Sequence, residues 1–404
     1  MLVNISLEEA QSLILNHVRP LSAEAISILA SLGRVSAVDV TAPSNLPGHA
    51  QAAVDGYALS SLTDIAERKY LLTGNVQLGE VPTKPLQLGQ ALGVLTGGNL
   101  PKGTIAVIPH EKVAIKNNML YPLEEVNPGN NIKQPGEDFP QGSGLISSGS
   151  EIGAADISLL AAFGTTSIEV YRQPRVAVLC LSKNIVPWQL NPEPGQIRDS
   201  NGPLLSSLVI QAGGIPVACL ATDRSSASFI ATVEKLLEQV DVLIITGGTY
   251  AEGDNEARLL MKKLGAELLY WDLPIQPGSH TGASLWNSRL IFALSGNPAA
   301  CAVGYHLLVA PALHAMQGLF PGLPRITAAC TNGFPKQSGS RRFIRGHLSW
   351  TEAGWQVTVL PGQKPSMIRS LIRCNAFIDR PAGSPPIEAG KDVSVIVLEP
   401  LFQV

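Results

Sequence analysis

Between residues 174 and 316, short apolar runs alternate with longer segments of helical spacing, and this alternation restricts the fold more than any other feature of the sequence. The apolar runs are RVAVLCL (175–181), IPVACLA (215–221), DVLIIT (241–246) and RLIFAL (289–294). Runs of this kind are typical of strands that are buried on both faces. Because each run is followed by a helical pattern, the sequence predicts an α/β fold with a doubly wound, mostly parallel sheet.

The parts of the chain on either side have a different pattern. The sequence SLEEA (6–10) is a capping box that predicts a first helix, and a second helix is predicted over 23–32. From about 41 to 132, glycines and prolines interrupt short apolar runs, which predicts a β-rich unit. A helix is predicted again over 154–164. Towards the end of the chain, three strand-like runs predict a small β-barrel: RRFIRGHLSW, WQVTVL and DVSVIVL.

The composition argues against several classes of function. The 404 residues carry a net charge of −3 and no basic stripe, so binding to nucleic acid is not expected. No run of about 18 apolar residues is evident and no signal-peptide pattern opens the chain, so no membrane association is expected. The five cysteines are scattered, and Cys180 and Cys219 are expected to be buried thiols, which favours the cytoplasm.

Polar or glycine-rich turns follow the predicted strands at 182–184, 222–223, 246–248 and 295–298. In doubly wound sheets, ligands bind at the carboxyl ends of the strands, and backbone amides at such turns attract phosphate or another oxyanion. Three acids near this edge could hold a divalent cation that bridges to phosphates: Asp223, Asp254 and Glu256. The pattern predicts a site for a nucleotide or phosphorylated cofactor. The alternative is that the glycines only form turns, since neither GxGxxG nor a P-loop is present.

The order of several motifs resembles the molybdopterin molybdotransferases, the family of bacterial MoeA and of the E domain of gephyrin. The most specific motifs are DGYA (55–58), GQIRDSN (195–201) and SGNPAA (295–300). The resemblance covers essentially the full length and includes further motifs: LGRVSAVDV (32–40), LTGGNLPKG (95–103), PGEDFPQG (135–142), TGG (246–248), RRFIRG (341–346) and PGQKPSMIRSL (361–371).

The resemblance implies four domains and a homodimer. The expected boundaries are a helical dimerisation domain from 1–45 and 138–173, an inserted β-rich domain from 46–137, a molybdopterin-binding α/β domain from 174–322 and a C-terminal β-barrel from 323–404. The active site is expected in a cleft between subunits, where the α/β domain of one subunit faces the inserted domain of the other.

The implied reaction takes adenylylated molybdopterin and molybdate, uses Mg²⁺, and releases AMP. The resemblance implies that Asp55 and Thr96 of the facing subunit and Asp223 of the α/β domain are catalytic. The expected metal ligands are Asp254 and Glu256. The expected substrate-binding residues are Ser182, Lys183, Asp199, Asn201, Gly247, Gly248, Ser295, Gly296, Asn297 and Pro298.

The chain departs from the family pattern at charged positions. Lys183 and Asn184 replace an aspartate and a glutamate, whereas Gln276 and Ser279 replace two lysines. His280 stands where the family has a proline and is a possible ligand contact. These changes leave two hypotheses open: an active transferase with a rearranged site, or a non-catalytic paralogue that binds molybdopterin or a partner protein. A hydrolase acting on another adenylylated nucleotide is a third hypothesis, which the family-like terminal domains disfavour.

Overall fold

The computed structural model describes residues 5–61, 68–182, 184–222, 229–249 and 255–398. Of the predicted site residues, Lys183, Asp223 and Asp254 lie outside this part of the chain. The remaining predicted site residues are all described.

The elements before residue 174 form small sheets and few helices. The first stretch contains α1 (Leu7–Asn16), β1 (Ala23–Ser27) and β2 (Val40–Thr41). The second contains β3 (Gln51–Ala52), β4 (Gly56–Leu59), β5 (Tyr70–Asn75), β6 (Gln90–Val94), β7 (Ala106–Pro109), β8 (Val113–Lys116), β9 (Met119–Pro122) and β10 (Ile132–Lys133). The third contains β11 (Gly144–Ile146), α2 (Ala154–Ala162) and β12 (Ser167–Tyr171).

The elements after residue 174 form a large sheet flanked by helices and then a barrel. The α/β part contains β13 (Arg175–Leu181), β14 (Ile185–Val186), β15 (Ile197–Arg198), α3 (Asn201–Gln211), β16 (Ile215–Thr222), α4 (Phe229–Leu237), β17 (Val242–Thr246), α5 (Glu256–Lys263), β18 (Glu267–Trp271), β19 (Ile275–Gln276), β20 (Gly282–Trp286), β21 (Arg289–Leu294), α6 (Pro298–Gly304) and α7 (Ala310–Met316). The barrel strands are β22 (Arg325–Cys330), β23 (Arg341–Thr351), β24 (Gly354–Val359), β25 (Ala376–Arg380) and β26 (Lys391–Val397).

The N-terminal segment contains one of its two predicted helices. In α1 the capping box forms as predicted, because Ser6 Oγ accepts a hydrogen bond from the Glu9 amide and Glu9 Oε2 accepts one from the Ser6 amide. The buried face of α1 packs into the core of the α/β sheet. The helix predicted over 23–32 is wrong, because its first half is β1, which pairs antiparallel with β12. Long-range pairing overrides the local helical pattern here.

The inserted sheet has the order β7-β4-β6-β5-β9-β8. Strand β4 lies between β6 and β7 and begins at Gly56, directly after Asp55. A β-carbon on Gly56 would overlap the carbonyl oxygen of Ile108, so the close approach of β4 and β7 requires glycine at this position. This contact fixes the backbone that presents Asp55.

The α/β sheet has the order β16-β13-β17-β21-β20-β18 and is mixed. The first four strands are parallel and were predicted from their apolar runs. Strand β20 runs antiparallel to both of its neighbours, β21 and β18, and neither β20 nor β18 was predicted. Separate buried clusters cover the two faces of the sheet, as a doubly wound arrangement requires. The sheet therefore brings the carboxyl ends of its parallel strands to one edge.

The last helical stretch runs from Pro298 to Met316 and contains a π-helical turn at Tyr305–Val309. Pro311 has no amide hydrogen to donate to the carbonyl of Leu307, four residues earlier. Gln11 of α1 instead donates a hydrogen bond from Nε2 to this carbonyl at 2.7 Å. By length and composition alone, this stretch of 19 residues could cross a membrane, although no such segment was expected from the sequence. In the structure, 83% of its apolar window is buried inside the protein. Such burial is typical of a core helix.

The C-terminal strands close into a five-stranded barrel, because β23 pairs with both β24 and β25. Strand β19 of the α/β part adds to the barrel by pairing with the start of β23. Arg341 of β23 joins the barrel to α1, since it forms ion pairs with Asp379 of the barrel at 2.7 Å and with Glu8 of α1 at 2.6 Å. Arg341 is thus a structural residue of this junction.

Candidate functional site

The carboxyl ends of β13, β17 and β21 lie in direct contact through glycine backbones. Gly247 has a φ of +85°, and a β-carbon there would lie 2.5 Å from the carbonyl oxygen of Leu181. A β-carbon on Gly296 would lie 3.1 Å from the α-carbon of Gly247. The amide of Gly247 also donates to the carbonyl of Leu294 at 3.1 Å. Glycine at these turns is therefore required by packing as well as by any ligand.

Asn201, the first residue of α3, ties two of these strand ends together. Its Nδ2 donates one hydrogen bond to Thr246 Oγ1 and another to the carbonyl of Gly296, both at 2.9 Å. Thr246 Oγ1 in turn donates to the carbonyl of Ser295 at 3.1 Å. Asn201 is 5% exposed, and its Oδ1 has no hydrogen-bond partner among the residues that the structure describes. A buried acceptor of this kind is a place for a donor on a ligand.

Asp199 positions Asn201 through the start of α3. Its Oδ1 accepts the amide hydrogen of Gly202 at 2.8 Å, and its Oδ2 accepts the thiol hydrogen of Cys180 at 3.2 Å. The neighbouring thiol of Cys219, together with burial, raises the pKa of the Cys180 thiol far above its usual range, so Cys180 stays protonated and can donate. Cys219 itself is exposed, so the expectation that it is buried is wrong.

Asp55 and Thr96 form a unit in the inserted sheet. The Asp55 carboxylate accepts a hydrogen bond from the Thr96 amide at 2.7 Å and one from the Thr96 hydroxyl at 2.8 Å. The amide bond, followed by the hydroxyl bond, holds the pKa of Asp55 below its usual value. The structure thus brings the two predicted catalytic residues together. Thr96 holds the Asp55 side chain as an exposed, ionised carboxylate.

Glu256 is the first residue of α5 and lies against the glycine turn. A β-carbon on Gly248, which has a φ of +65°, would lie 2.9 Å from Glu256 Cβ and 3.4 Å from Glu256 Oε2. The other predicted metal ligand, Asp254, is outside the described residues. Within the described part of the chain, no three acidic, histidine or cysteine side chains cluster as a metal site would require. The predicted cation site therefore stays a prediction.

The remaining predicted contacts lie in the turns themselves. Ser182 Oγ accepts the amide hydrogen of Asn184, and Ser295 Oγ accepts that of Asn297, each at 3.3 Å. Pro298 begins α6, which has only seven residues. The amide of Ala299 donates to the carbonyl of Pro365 in the barrel at 3.0 Å. The start of α6 is therefore committed partly to the barrel, and less of it can face an oxyanion than the sequence indicated.

A second group of residues lies where the α/β part meets the barrel. A cavity of about 30 Å³ there is lined by Gln276, Pro277, Phe334, Arg342, Phe343, Ile344, Arg345, Gln363 and Pro365. Arg345 is 1% exposed and donates from Nε to Ser370 Oγ at 3.1 Å. Burial lowers the pKa of Arg345 to about 10, so it remains charged near neutrality. Arg342 donates to Gln276 Oε1 at 2.6 Å.

This junction cavity carries two cations and no carboxylate in its lining. In the sequence these arginines belong to the motif RRFIRG, which does not distinguish them. In the fold, Arg341 is ion-paired, whereas Arg342 and Arg345 line the cavity. A larger cavity of about 660 Å³ lies between α5 and β18, lined by Asn255, Arg258, Leu259, Met261, Lys262, Gly265, Ala266 and Leu268. It contains none of the predicted site residues.

Three family models match successive parts of the chain. The MoeA N-terminal region (domains I and II) matches residues 5–164, a probable molybdopterin-binding domain matches 177–315, and the MoeA C-terminal region (domain IV) matches 327–398. A molybdopterin molybdenumtransferase of Bacillus subtilis is 32% identical over 387 residues, which cover 93% of this chain and 90% of that protein. The chain belongs to the MoeA family. The sequence resemblance is thereby confirmed over all three matched regions.

Further relatives agree with this MoeA assignment. A molybdopterin molybdenumtransferase of Staphylococcus aureus is 28% identical over 404 residues, covering 98% of this chain and 96% of that one. A molybdopterin biosynthesis MoeA protein of Pyrococcus horikoshii has a similar solved structure, with a TM-score of 0.85, 27% identity, and coverage of 98% of this chain and 100% of that chain. These relatives support molybdenum cofactor biosynthesis by a transferase and do not favour the non-catalytic paralogue.

Proposed function

We propose that this MoeA-family chain inserts molybdate into adenylylated molybdopterin and releases AMP. The observation that carries the proposal is the carboxyl edge of the α/β sheet, where Asn201 joins the ends of β17 and β21 and keeps its buried Oδ1 as an acceptor. A pterin ring carries N–H donors that suit such an acceptor. The glycine turn at Gly247 and Gly248 leaves bare backbone beside it, which a phosphate or a flat ring can approach closely.

The junction cavity suits the second substrate. Molybdate is a small dianion, and the guanidinium groups of Arg342 and Arg345 are charged donors of the kind that bind tetrahedral oxyanions. The cavity adjoins the sheet edge because Gln276 and Pro277, which line it, belong to the loop between β18 and β20. Both substrates would then meet at the same end of the sheet.

One described carboxylate, that of Glu256, lies where a magnesium ion shared with the substrate would bind. Mg²⁺ usually binds through one or two carboxylates together with substrate phosphates. Glu256 offers one such carboxylate beside the Gly248 turn, and Asp223 and Asp254 would add oxygen ligands. When bound, the ion would neutralise charge on the phosphoanhydride.

A homodimer would complete the site. Asp55 and Thr96 belong to the inserted sheet, whereas Asn201, Gly247 and Gly296 belong to the α/β sheet. The Asp55 carboxylate is exposed and already satisfied by Thr96, so it can face another surface without rearrangement. We therefore assign it to the site of a second subunit. The free thiols of all five cysteines suit a cytoplasmic enzyme.

The test is rescue of nitrate reductase activity in a bacterial strain that lacks its own molybdotransferase. We expect the wild-type chain to restore activity and Asp55→Ala to abolish it. Asp392→Ala, which removes an exposed acid from β26, is the matched control and should rescue fully. Failure of soluble, dimeric wild-type protein to rescue, even with excess molybdate, would contradict the proposed function and leave a non-catalytic paralogue as the better account.

A further inference from the structure

The loop between β18 and β20 holds a histidine against an aspartate. His280 Nδ1 lies 3.1 Å from Asp272 Oδ1, and the two side chains are 39% and 51% exposed. The loop is closed by backbone hydrogen bonds, in which the amide of Asp272 donates to the carbonyl of Thr281 and that of Leu273 donates to Ser279, both at 2.9 Å. The two residues are therefore held together by the fold of the loop as well as by their own contact.

This pair lies at the same edge of the sheet as the proposed substrate site. Strand β20 starts at Gly282, which is opposite Ala293 near the end of β21. The hydroxyl of Thr281, the residue after His280, donates to the carbonyl of Ala293 at 2.9 Å. Two residues beyond Ala293, the chain enters the turn that begins at Ser295. His280 is thus anchored next to the turn that Asn201 holds.

The other half of the loop reaches the junction cavity. Gln276 is paired with Arg342 in the register of β19 and β23 and accepts its hydrogen bond. Gly278 has a φ of +99°, and a β-carbon there would lie 3.3 Å from the carbonyl oxygen of Ala300 in α6. The loop therefore lies between the carboxyl edge and the cationic cavity, and His280 is on the side of the edge.

The chemistry of the pair favours binding of an anion. A carboxylate at Nδ1 fixes the ring orientation, so that Nε2 points away from the aspartate and, in the imidazolium form, carries a hydrogen to donate. A half-exposed imidazole held in this way can donate a charge-assisted hydrogen bond to a tetrahedral oxyanion. Between Asp272 and Thr281 the loop contains no lysine or arginine, so His280 is the side chain of this loop that can carry a positive charge.

We propose that His280 contacts an anionic oxygen of the substrates, either molybdate or a phosphate of the nucleotide, and that Asp272 is its positioning residue. This inference rests on the proposed function, because it assumes that such oxyanions bind at this edge.

The experiment titrates the full-length protein by calorimetry with sodium molybdate alone and, separately, with AMP alone. We expect His280→Ala to weaken the binding of one of the two by about tenfold or more, since one charged hydrogen bond is lost. Whichever ligand is affected identifies the oxyanion. His280→Lys should recover most of the affinity, and Asp272→Asn should weaken it by a smaller factor. His17→Ala, an exposed histidine at the end of α1, is the matched control and should bind as the wild type does.

Three results would overturn the inference. If His280→Ala binds both ligands as the wild type does, the imidazole does not contact a substrate oxyanion, and the proposed function stands as long as the wild type still rescues nitrate reductase. If His280→Lys fails to restore the affected ligand while thermal unfolding is unchanged, charge at this position is not what binds. A wild-type protein that binds neither ligand and does not rescue overturns the proposed function, and this inference with it.

Discussion

Asp55 accepts both hydrogen bonds that Thr96 can donate, from its amide at 2.7 Å and from its hydroxyl at 2.8 Å. The pair therefore keeps the carboxylate ionised to lower pH than an isolated aspartate would be. Because the pKa of Asp55 is lowered in the folded protein, the carboxylate is ionised at every pH above that lowered pKa. It becomes protonated only when the pH falls through that pKa.

Removing the hydroxyl should raise the pKa of Asp55. In Thr96→Val the amide bond remains but the hydroxyl bond is lost, so the carboxylate should protonate at higher pH. We expect the acid limb of the pH profile of AMP release to move upward, with activity at pH values above this limb changed little. Thr104→Val, which removes a hydroxyl that donates to the carbonyl of Pro101 at 2.8 Å, is the control. An unchanged acid limb in Thr96→Val would mean that Asp55 does not set it.

Asn201→Ala should both destabilise the protein and weaken substrate binding. The variant loses the hydrogen bonds to Thr246 and Gly296 and leaves buried acceptors without a donor, which costs about 2–4 kcal/mol in the free energy of unfolding. It also loses Oδ1, the acceptor proposed for the pterin. Urea unfolding measures the first effect, and the rise in melting temperature with added molybdopterin measures the second.

The two effects of Asn201 can be separated with a control. Asn375 is also buried, at 5% exposure, and makes hydrogen bonds to the backbone of Leu348 in the barrel. Asn375→Ala should lose a comparable free energy of unfolding but should keep the melting-temperature rise on ligand addition. If Asn201→Ala keeps that rise as well, its Oδ1 does not bind the ligand.

Much of the α/β sheet could be predicted because its parallel strands are buried on both faces and read as apolar runs. Strands β18 (ELLYW) and β20 (GASLW) were missed, and both lie at the end of the sheet where the neighbouring strands pair antiparallel. The segment at 23–27 was mistaken for a helix because its paired residues in β12 are 140 to 148 positions away in the chain. Local patterns do not contain such pairings.

The candidate site was predictable to a similar degree. The glycine turns and Asn201 could be named from motifs, but their contact joins residues 45 and 95 positions apart, which a sequence does not reveal. The sequence did not reveal the structural role of Asp199. Its carboxylate oxygens accept hydrogen bonds from the amide of Gly202 in α3 and from the thiol of Cys180, so they do not face outward. The burial of Arg345 could not be predicted from the sequence, because charged residues are ordinarily expected at the surface.

Gly247→Ala should destabilise the protein much more than an ordinary glycine substitution at positive φ. Its φ of +85° alone costs about 1–2 kcal/mol for any residue with a β-carbon. In addition the new methyl would lie 2.5 Å from the carbonyl oxygen of Leu181, so two strand ends must separate. We expect a total loss of about 3 kcal/mol or more in the free energy of unfolding, measured in urea.

Gly164 is the matched control for this substitution. It has a φ of +72° at the end of α2, and nothing lies within 4 Å of a β-carbon built there. Gly164→Ala should therefore show the conformational cost alone. Equal losses in the two variants would mean that the strand ends at Leu181 and Gly247 can separate freely, which would contradict the packed edge on which the proposed site is built.

His306 should make the protein less stable in mild acid. It is enclosed between Tyr305 and Phe377, and burial, with a smaller effect from His314, lowers its pKa to about 4. Between that value and the ordinary pKa of 6.5, the unfolded chain binds a proton that the folded chain does not, so the free energy of unfolding falls as the pH falls. The loss between pH 7 and pH 5 should be about 1–2 kcal/mol.

His306→Phe keeps a ring between Tyr305 and Phe377 but cannot take up a proton. Urea unfolding at pH 7 and at pH 5 should show a smaller drop in stability for this variant than for the wild type. His347→Phe, in which the lost imidazole is hydrogen bonded to the carbonyl of Arg373, should leave the wild-type drop in place. If the drop survives unchanged in His306→Phe, the acid sensitivity belongs to other groups, and the ring at 306 is not enclosed in solution.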